Sequence, residues 1–192
     1  KDTKPLKPLF KRWIQLNNEI PRMVPGSEAL SKAAFERKVL ITELYRKSSA
    51  AKVMAVKKVI KDMASQGLKF IVFCYHKAFM NEMEEACDGV DYIRIDGDTP
   101  VKKRQQYVDE FQNGEVQVAI LSLLAASTGF TLTATSLLVF AELSFVPGIM
   151  LQAEDRIHRI GQTQSCDIRY IIGEGTLDDY IFRMIRRKLD TL

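Results

Sequence analysis

Beyond residue 69 the chain alternates short apolar runs with amphipathic stretches. Phe70-Ile71-Val72-Phe73 is apolar at every position, the pattern of a strand buried on both faces. Residues 77–87 read as a helix. Asp91 to Ile95 is a second strand, and Asp96-Gly97-Asp98 is a turn. Thr99-Pro100 fits a cap followed by proline at the first helical position, opening a helix that runs towards Phe111. Asn113-Gly114 turns the chain into a strand from Val116 to Leu121, and Leu137 to Phe140 is another strand. Gly148 to Arg159 reads as a helix, Cys166 to Ile172 as a strand and Thr176 to Leu189 as a closing helix.

Strands separated by helices of this length need crossover connections, and therefore a parallel sheet in an α/β fold. Such a sheet places its working loops at the carboxyl ends of its strands. The candidate loops begin at Cys74, Asp96, Ser122 and Ala141.

The first third follows another pattern. Residues 1–27 mix Lys, Pro and the lone Trp13, and end in Val24-Pro25-Gly26-Ser27. Pro25-Gly26 signals a turn, and Ser27 is a good cap before Glu28. Two helices are predicted next, over 28–47 and 49–65, with Ser49 capping the second. Val53, Val56 and Ile60 recur there at helical spacing, and Gln66-Gly67 ends the element. Trp13, with Phe10 and Ile14, is read as a packing anchor rather than a base-stacking platform.

Composition narrows the class. The chain has 192 residues, 46% of them hydrophobic and 27% charged, which suits one globular domain with or without an appendage. No apolar stretch is long enough to cross a bilayer. The first residue is Lys1, so the chain is read as a fragment of a longer protein. Three dispersed cysteines, Cys74, Cys87 and Cys166, form no CxxC pair and point to a reducing compartment. The histidines, His76 and His158, stand apart from any ligand-like cluster, so no metal site is expected. Charge is uneven. Residues 1–69 carry 16 Lys and Arg against 6 Asp and Glu, whereas the remainder carries 12 against 18. The basic third suits contact with nucleic-acid phosphate, or equally a solvated helical surface.

The strongest chemical signal is Gln152-Ala153-Glu154-Asp155-Arg156-Ile157-His158-Arg159-Ile160-Gly161-Gln162. On a helix, Gln152, Arg156 and Arg159 share one face. Two guanidiniums and an amide pointing the same way make a receptor for phosphate oxygens. Taken alone, the arginines equally describe a surface on which Asp155 pairs with Arg159.

The full string resembles motif VI of superfamily-two helicases in the form used by SWI/SNF-type ATPases. Phe70 to Lys77 resembles motif IV, Arg94 to Thr99 motif IVa, and Leu121-Ser122 through Ala125, Gly129 and Leu132 motif V. Phe140-Ala141-Glu142-Leu143 followed by Pro147-Gly148 is similar to the HARP-type annealing helicases. Remodellers of the nucleosome group carry Asp-x-Asp-Trp-Asn-Pro there, so Ser144, Phe145 and Val146 inherit no role. Motif V also departs from the common Thr-Arg-Ala-Gly-Gly form, reading Leu123 to Ser127 instead.

The resemblance implies a C-terminal RecA-like lobe over residues 49–192, with residues 1–48 a basic, mostly helical extension. It implies arginine fingers at Arg156 and Arg159, with ATP also met by Gln152 and Gly129. It implies DNA contacts at His76, Lys77, Gly97 and Ser122. ATP and Mg²⁺ would be held mainly by a first lobe of the same protein, because this sequence has no Gly-x-x-x-x-Gly-Lys-Ser/Thr string and no Asp-Glu-x-His string. The expected partners are duplex or fork DNA, met without sequence preference, and that first lobe, with no membrane. The implied location is nuclear, or cytoplasmic in a bacterium.

Plainer roles stand beside these. His76 and Lys77 also suit a solvated helix start, Ser122 a helix cap and Gly129 a turn. His158 is read as packing or hydrogen bonding, and Asp178-Asp179 as a match to a helix dipole. The competing functions are an RNA helicase lobe and a non-catalytic lobe used as a docking module for protein or nucleic acid.

Overall fold

The computed structural model describes residues 6–125, 131–157 and 165–189. It contains α1 (Leu6–Glu19), α2 (Glu28–Ser65), β1 (Phe70–Cys74), α3 (Lys77–Ala86), β2 (Tyr92–Ile95) and α4 (Val101–Asn113). These are followed by β3 (Val118–Ser122), β4 (Leu137–Phe140), α5 (Pro147–Glu154), β5 (Asp167–Tyr170) and α6 (Leu177–Leu189). The chain divides into two compact units. One comprises Lys1–Lys52 with Gly173–Tyr180, and the other Val53–Ile172 with Ile181–Leu192.

The larger unit is built on a five-stranded sheet in the order β2-β3-β1-β4-β5, and every neighbouring pair is parallel. β1 lies at the centre, with Phe70 opposite Val118 on one side and Phe73 opposite Phe140 on the other. All five residues of β1 and all five of β3 are buried, as a strand covered on both faces requires. Val56, Ile60 and Met63 of α2 pack with Met80 and Met83 of α3 and with Val72 and Ile120 of the sheet. Phe73, Phe140 and Tyr170 form a cross-strand ladder. Their rings stack at 5.6 and 4.9 Å between centroids, adding aromatic attraction to apolar burial. The arrangement is the parallel α/β sheet flanked by helices that the sequence pattern implies, and it fits the RecA-like lobe that the resemblance implies.

One helix, α2, replaces the two predicted over 28–47 and 49–65. Ser49 does not cap a new helix. Its hydroxyl donates to the Tyr45 carbonyl at 3.1 Å within the helix, and Ser48 Oγ accepts the Leu177 N–H at 3.0 Å. Both hydroxyls are thus bonded without interrupting the helical ladder. Ser27 does cap α2, accepting the Leu30 N–H at 3.1 Å.

In the smaller unit, Trp13 is buried, stacked with Phe10 and edge-on to Tyr180 at 5.0 Å. This fits a packing anchor, although Ile14 stays exposed and does not join it. Arg12 holds Glu36 through two hydrogen bonds of 2.7 and 2.8 Å. A buried ion pair joins Lys52 to Asp178 at 2.6 Å, with side chains only 5% and 2% exposed. Asp178 Oδ2 also accepts the Gly173 N–H at 2.9 Å. Asp178 therefore does more than complement a helix dipole.

Truncating one partner of a buried pair leaves the other charge uncompensated. Asp178→Ala is expected to lower unfolding free energy by about 3–5 kcal/mol. Replacing both partners, as Lys52→Met with Asp178→Leu, should cost far less. Urea unfolding of the variants checks this, and equal losses in the single and double variants would rule out the charge as the cause.

Candidate functional site

A parallel sheet points all its carboxyl ends the same way, and most of the residues singled out in the sequence collect there. β1 ends at Cys74, and His76 is the residue before α3. The His76 and Tyr75 backbone N–H groups both donate to Oε2 of Glu142 at 2.8 Å. His76 Nδ1 lies 2.7 Å from Oε1 of the same carboxylate. Glu142, two residues past β4, is fully buried. It clamps the β1–α3 connection against the end of β4.

Lys77 opens α3 and forms an ion pair with Asp98, whose hydrogen bond raises the Lys77 pKa. Both side chains are largely exposed, so water and a competing anion can exchange with this pair. Asp98 belongs to the turn after β2. There Asp96 Oδ1 accepts the Asp98 N–H at 3.0 Å and the Thr99 hydroxyl at 3.2 Å, an Asx-type turn. Arg94 Nε and Nη2 donate to Asp96 Oδ2 at 3.1 and 3.0 Å, and Arg104 donates to the Thr99, Asp96 and Gly97 carbonyls. Gly97 sits at this turn with open space where a Cβ would be. Because Thr99 is engaged in the turn, helix α4 starts after Pro100, one residue later than Thr99-Pro100 predicts. Burial pushes the Asp96 carboxyl up, but Arg94, the Asp98 amide and Thr99 outweigh it and hold its pKa below the usual carboxylate value.

Ser122 ends β3 opposite Cys74, largely buried, and the Leu123 N–H donates to the Cys74 carbonyl at 2.8 Å. The rim therefore brings His76, Lys77, Gly97 and Ser122 to the ends of three adjacent strands. Gly129 lies outside the described residues.

The α5 region departs from expectation. Helix Gly148 to Arg159 is shorter than predicted: α5 closes at Glu154. The Arg156 and Ile157 N–H groups bond the Ala153 and Glu154 carbonyls, three residues back, which tightens the last turn out of α geometry. The Arg156 carbonyl accepts the Leu132 N–H at 2.9 Å, and Ile157 is buried, so tertiary contacts draw the chain inward. Gln152 and Arg156 consequently differ in exposure. Gln152 is exposed, whereas Arg156 is buried and its Nε donates to the Gln152 carbonyl at 3.0 Å. That bond satisfies a helix-terminal carbonyl, where a cation is favoured. His158 and Arg159 lie outside the described residues.

Two further residues, Glu154 and Glu142, carry no individual role in the sequence reading. Within the 152–162 string, Glu154 accepts the Tyr170 hydroxyl and fastens α5 to β5. Burial raises the pKa of both groups above their ordinary values. Glu142 was visible as one acidic residue between apolar neighbours just past a buried strand, a signal of a carboxylate with internal partners. Among the described residues no group of three or more His, Cys, Asp and Glu could hold a metal ion, and no helix is long and apolar enough to cross a membrane.

Residues 51–161 match the helicase conserved C-terminal domain family. The chain is 42% identical over 165 residues to the SWI/SNF-related matrix-associated actin-dependent regulator of chromatin subfamily A-like protein 1 of Xenopus tropicalis, covering 84% of this chain and 18% of that protein. It is 46% identical over 153 residues to the DNA annealing helicase and endonuclease ZRANB3 of Bos taurus, covering 78% of this chain and 14% of that protein. The chain thus spans under a fifth of the length of these relatives. Its fold is similar to the crystal structure of the C-terminal part of the Fun30 ATPase domain, with a TM-score of 0.63 and 27% identity, over 70% of this chain and 44% of that one.

The depressed Asp96 pKa gives a pH signature. The turn's stabilisation is present above the ordinary aspartate pKa and is lost as pH falls through the lower, folded-state value. Asp96→Asn should cost about 1–2 kcal/mol at neutral pH. The gap to the wild type should narrow in strong acid, where the wild-type carboxylate is itself protonated. Thermal unfolding across pH measures it, and a gap that does not depend on pH would show that the carboxylate charge has no part.

Proposed function

The chain belongs to the helicase conserved C-terminal domain family, and from that premise we propose that it is the second motor lobe of an ATP-driven DNA translocase related to the annealing helicases. The observation that carries this reading is the gathering of His76, Lys77, Gly97 and Ser122 on one rim, in a fold whose β4–β5 connection bears the Gln152 to Gln162 string. DNA backbone would meet the rim through phosphate contacts, which carry no sequence information. Lys77 suits that use because its present partner is an exposed, exchangeable Asp98.

ATP and Mg²⁺ are assigned chiefly to a first lobe of the same protein. Of the residues assigned to the nucleotide, Gln152 is exposed and can offer its amide. Gln152 and the segment around Gly129 would meet the nucleotide from this side. Bound ATP supplies the transferring phosphoryl, and this lobe's arginines would stabilise its charge. Arg156 would have to give up the Gln152 carbonyl and a buried site to reach it, so the charge clamp rests mainly on Arg159. In this reading the lobe occupies residues 49–192, and residues 1–48 form its basic extension. A nuclear location follows from the likeness to chromatin-related proteins.

Steady-state ATPase assays test the proposal. The chain alone should show no turnover above background, with or without DNA, because it lacks a phosphate-cradling loop. Robust DNA-stimulated hydrolysis by the chain alone would contradict the two-lobe division. In the two-lobe protein with saturating DNA, Arg159→Ala should lower turnover by about 10²–10⁴ while nucleotide affinity falls much less. Arg159→Lys should rescue poorly, since an ammonium keeps the charge and loses the planar fork. Near-normal turnover in Arg159→Ala would remove the string from the catalytic machinery.

A further inference from the structure

A carboxylate enclosed by protein is stable where hydrogen bonds replace its water. Glu142 has such bonds, and three of them reach one segment: from the Tyr75 N–H, the His76 N–H and the His76 ring. That segment leads into α3, whose N-terminal dipole further favours a negative charge. The carboxylate can only accept, so its contact with Nδ1 places a ring proton on that nitrogen.

Glu142 itself lies on the connection from β4 to α5. Two residues on, the Ser144 N–H bonds the Met150 sulfur within α5 at 3.3 Å. The Ser144 hydroxyl accepts the Val146 N–H at 3.1 Å, directly before Pro147 opens the helix. Ser144 and Met150 are both buried. The path from Glu142 into α5 is therefore short and internally bonded, with little slack.

We propose that Glu142 is a positioning residue that couples the His76–Lys77 loop to α5, so that the DNA-facing loop and the nucleotide-facing helix shift together. The proposal rests on the motor reading above. It adds a route by which DNA at one loop and nucleotide beside another can sense each other within a single lobe.

The experiment follows ATP turnover in the two-lobe protein as DNA is titrated. Glu142→Ala should lower turnover at saturating DNA by about 10–100-fold, the scale expected when positioned groups lose their geometry. Nucleotide binding should persist. Glu142→Gln should recover most of the loss, because its carbonyl oxygen can still accept both backbone N–H groups while its NH₂ faces Nδ1. The same swap should move the His76 ring proton to Nε2, read from the ring nitrogen chemical shifts. Should Glu142→Ala fail to fold, Glu142→Asp shortens the reach by one methylene and takes its place. Wild-type turnover at saturating DNA in Glu142→Ala overturns the coupling. So does a variant that changes only the half-saturating DNA concentration, which describes a loop held for binding alone. A Glu142→Gln protein as defective as Glu142→Ala, or one with an unmoved ring proton, also overturns it. A wild-type protein without DNA-stimulated turnover sinks the motor reading instead.

Discussion

A parallel strand covered on both faces has no face left for chemistry. β1 and β3 are buried along their whole length, so every functional group they position must lie past their ends. This constraint organises the larger unit. The crossovers carry the chain back each time, and the carboxyl ends of β1, β2, β3 and β4 open towards one rim. His76, Ser122, the Asp96 turn and Glu142 are consequently neighbours although 66 residues separate His76 from Glu142. Burial of the sheet and convergence of the site have the same cause.

What the rim can do then depends on how its charges are partnered. Lys77 and Asp98 meet in water, where an ion pair contributes little and exchanges readily. Asp96 and Arg94 are mostly buried and tied to the backbone, and they fix a turn. Arg156 is buried at the end of α5 and bonded to the Gln152 carbonyl. Three cationic side chains in one unit thus have three different availabilities. An exposed pair can yield to phosphate at small cost, whereas a buried one must first be replaced in kind.

The sequence made the sheet legible because burial on both faces leaves uninterrupted apolar runs. Phe70 to Phe73 and Leu137 to Phe140 needed no other signal. The helix ends were less legible. Ser49 carries the side chain of a cap, yet a hydroxyl can bond the carbonyl four residues back just as well, and α2 continues through it. The span from Gly148 to Arg159 keeps a helical period past Glu154, yet contacts to Leu132 and the burial of Ile157 turn the chain away. Local pattern reports what a segment can do alone, and these two positions are decided by distant partners. Chemistry was legible by type and less so by geometry. The rim residues named from the sequence converge as their strand ends dictate, while of the helix pair Gln152 is exposed and Arg156 is buried, a difference that helical spacing alone does not give. Gly129 and Arg159 lie outside the described residues and take no part in that comparison.

The least legible residues are acids at buried or half-buried joints. Glu142, Glu154 and Asp178 each stand in sequence among features that draw attention elsewhere: a family marker, an arginine string and a helix start. In the fold each joins segments far apart in the chain, to His76, Tyr170 and Lys52 respectively. Apolar packing alone tolerates small slips, since one methyl contact replaces another at little cost. A buried carboxylate tolerates none, because a lost hydrogen bond leaves a charge without solvent or partner. Such residues therefore set register where apolar contact cannot. In the proposed motor lobe, a displacement would be carried by the joints with the steepest energy, and Glu142, with its carboxylate bonded to the Tyr75 and His76 backbone, has the character of such a joint.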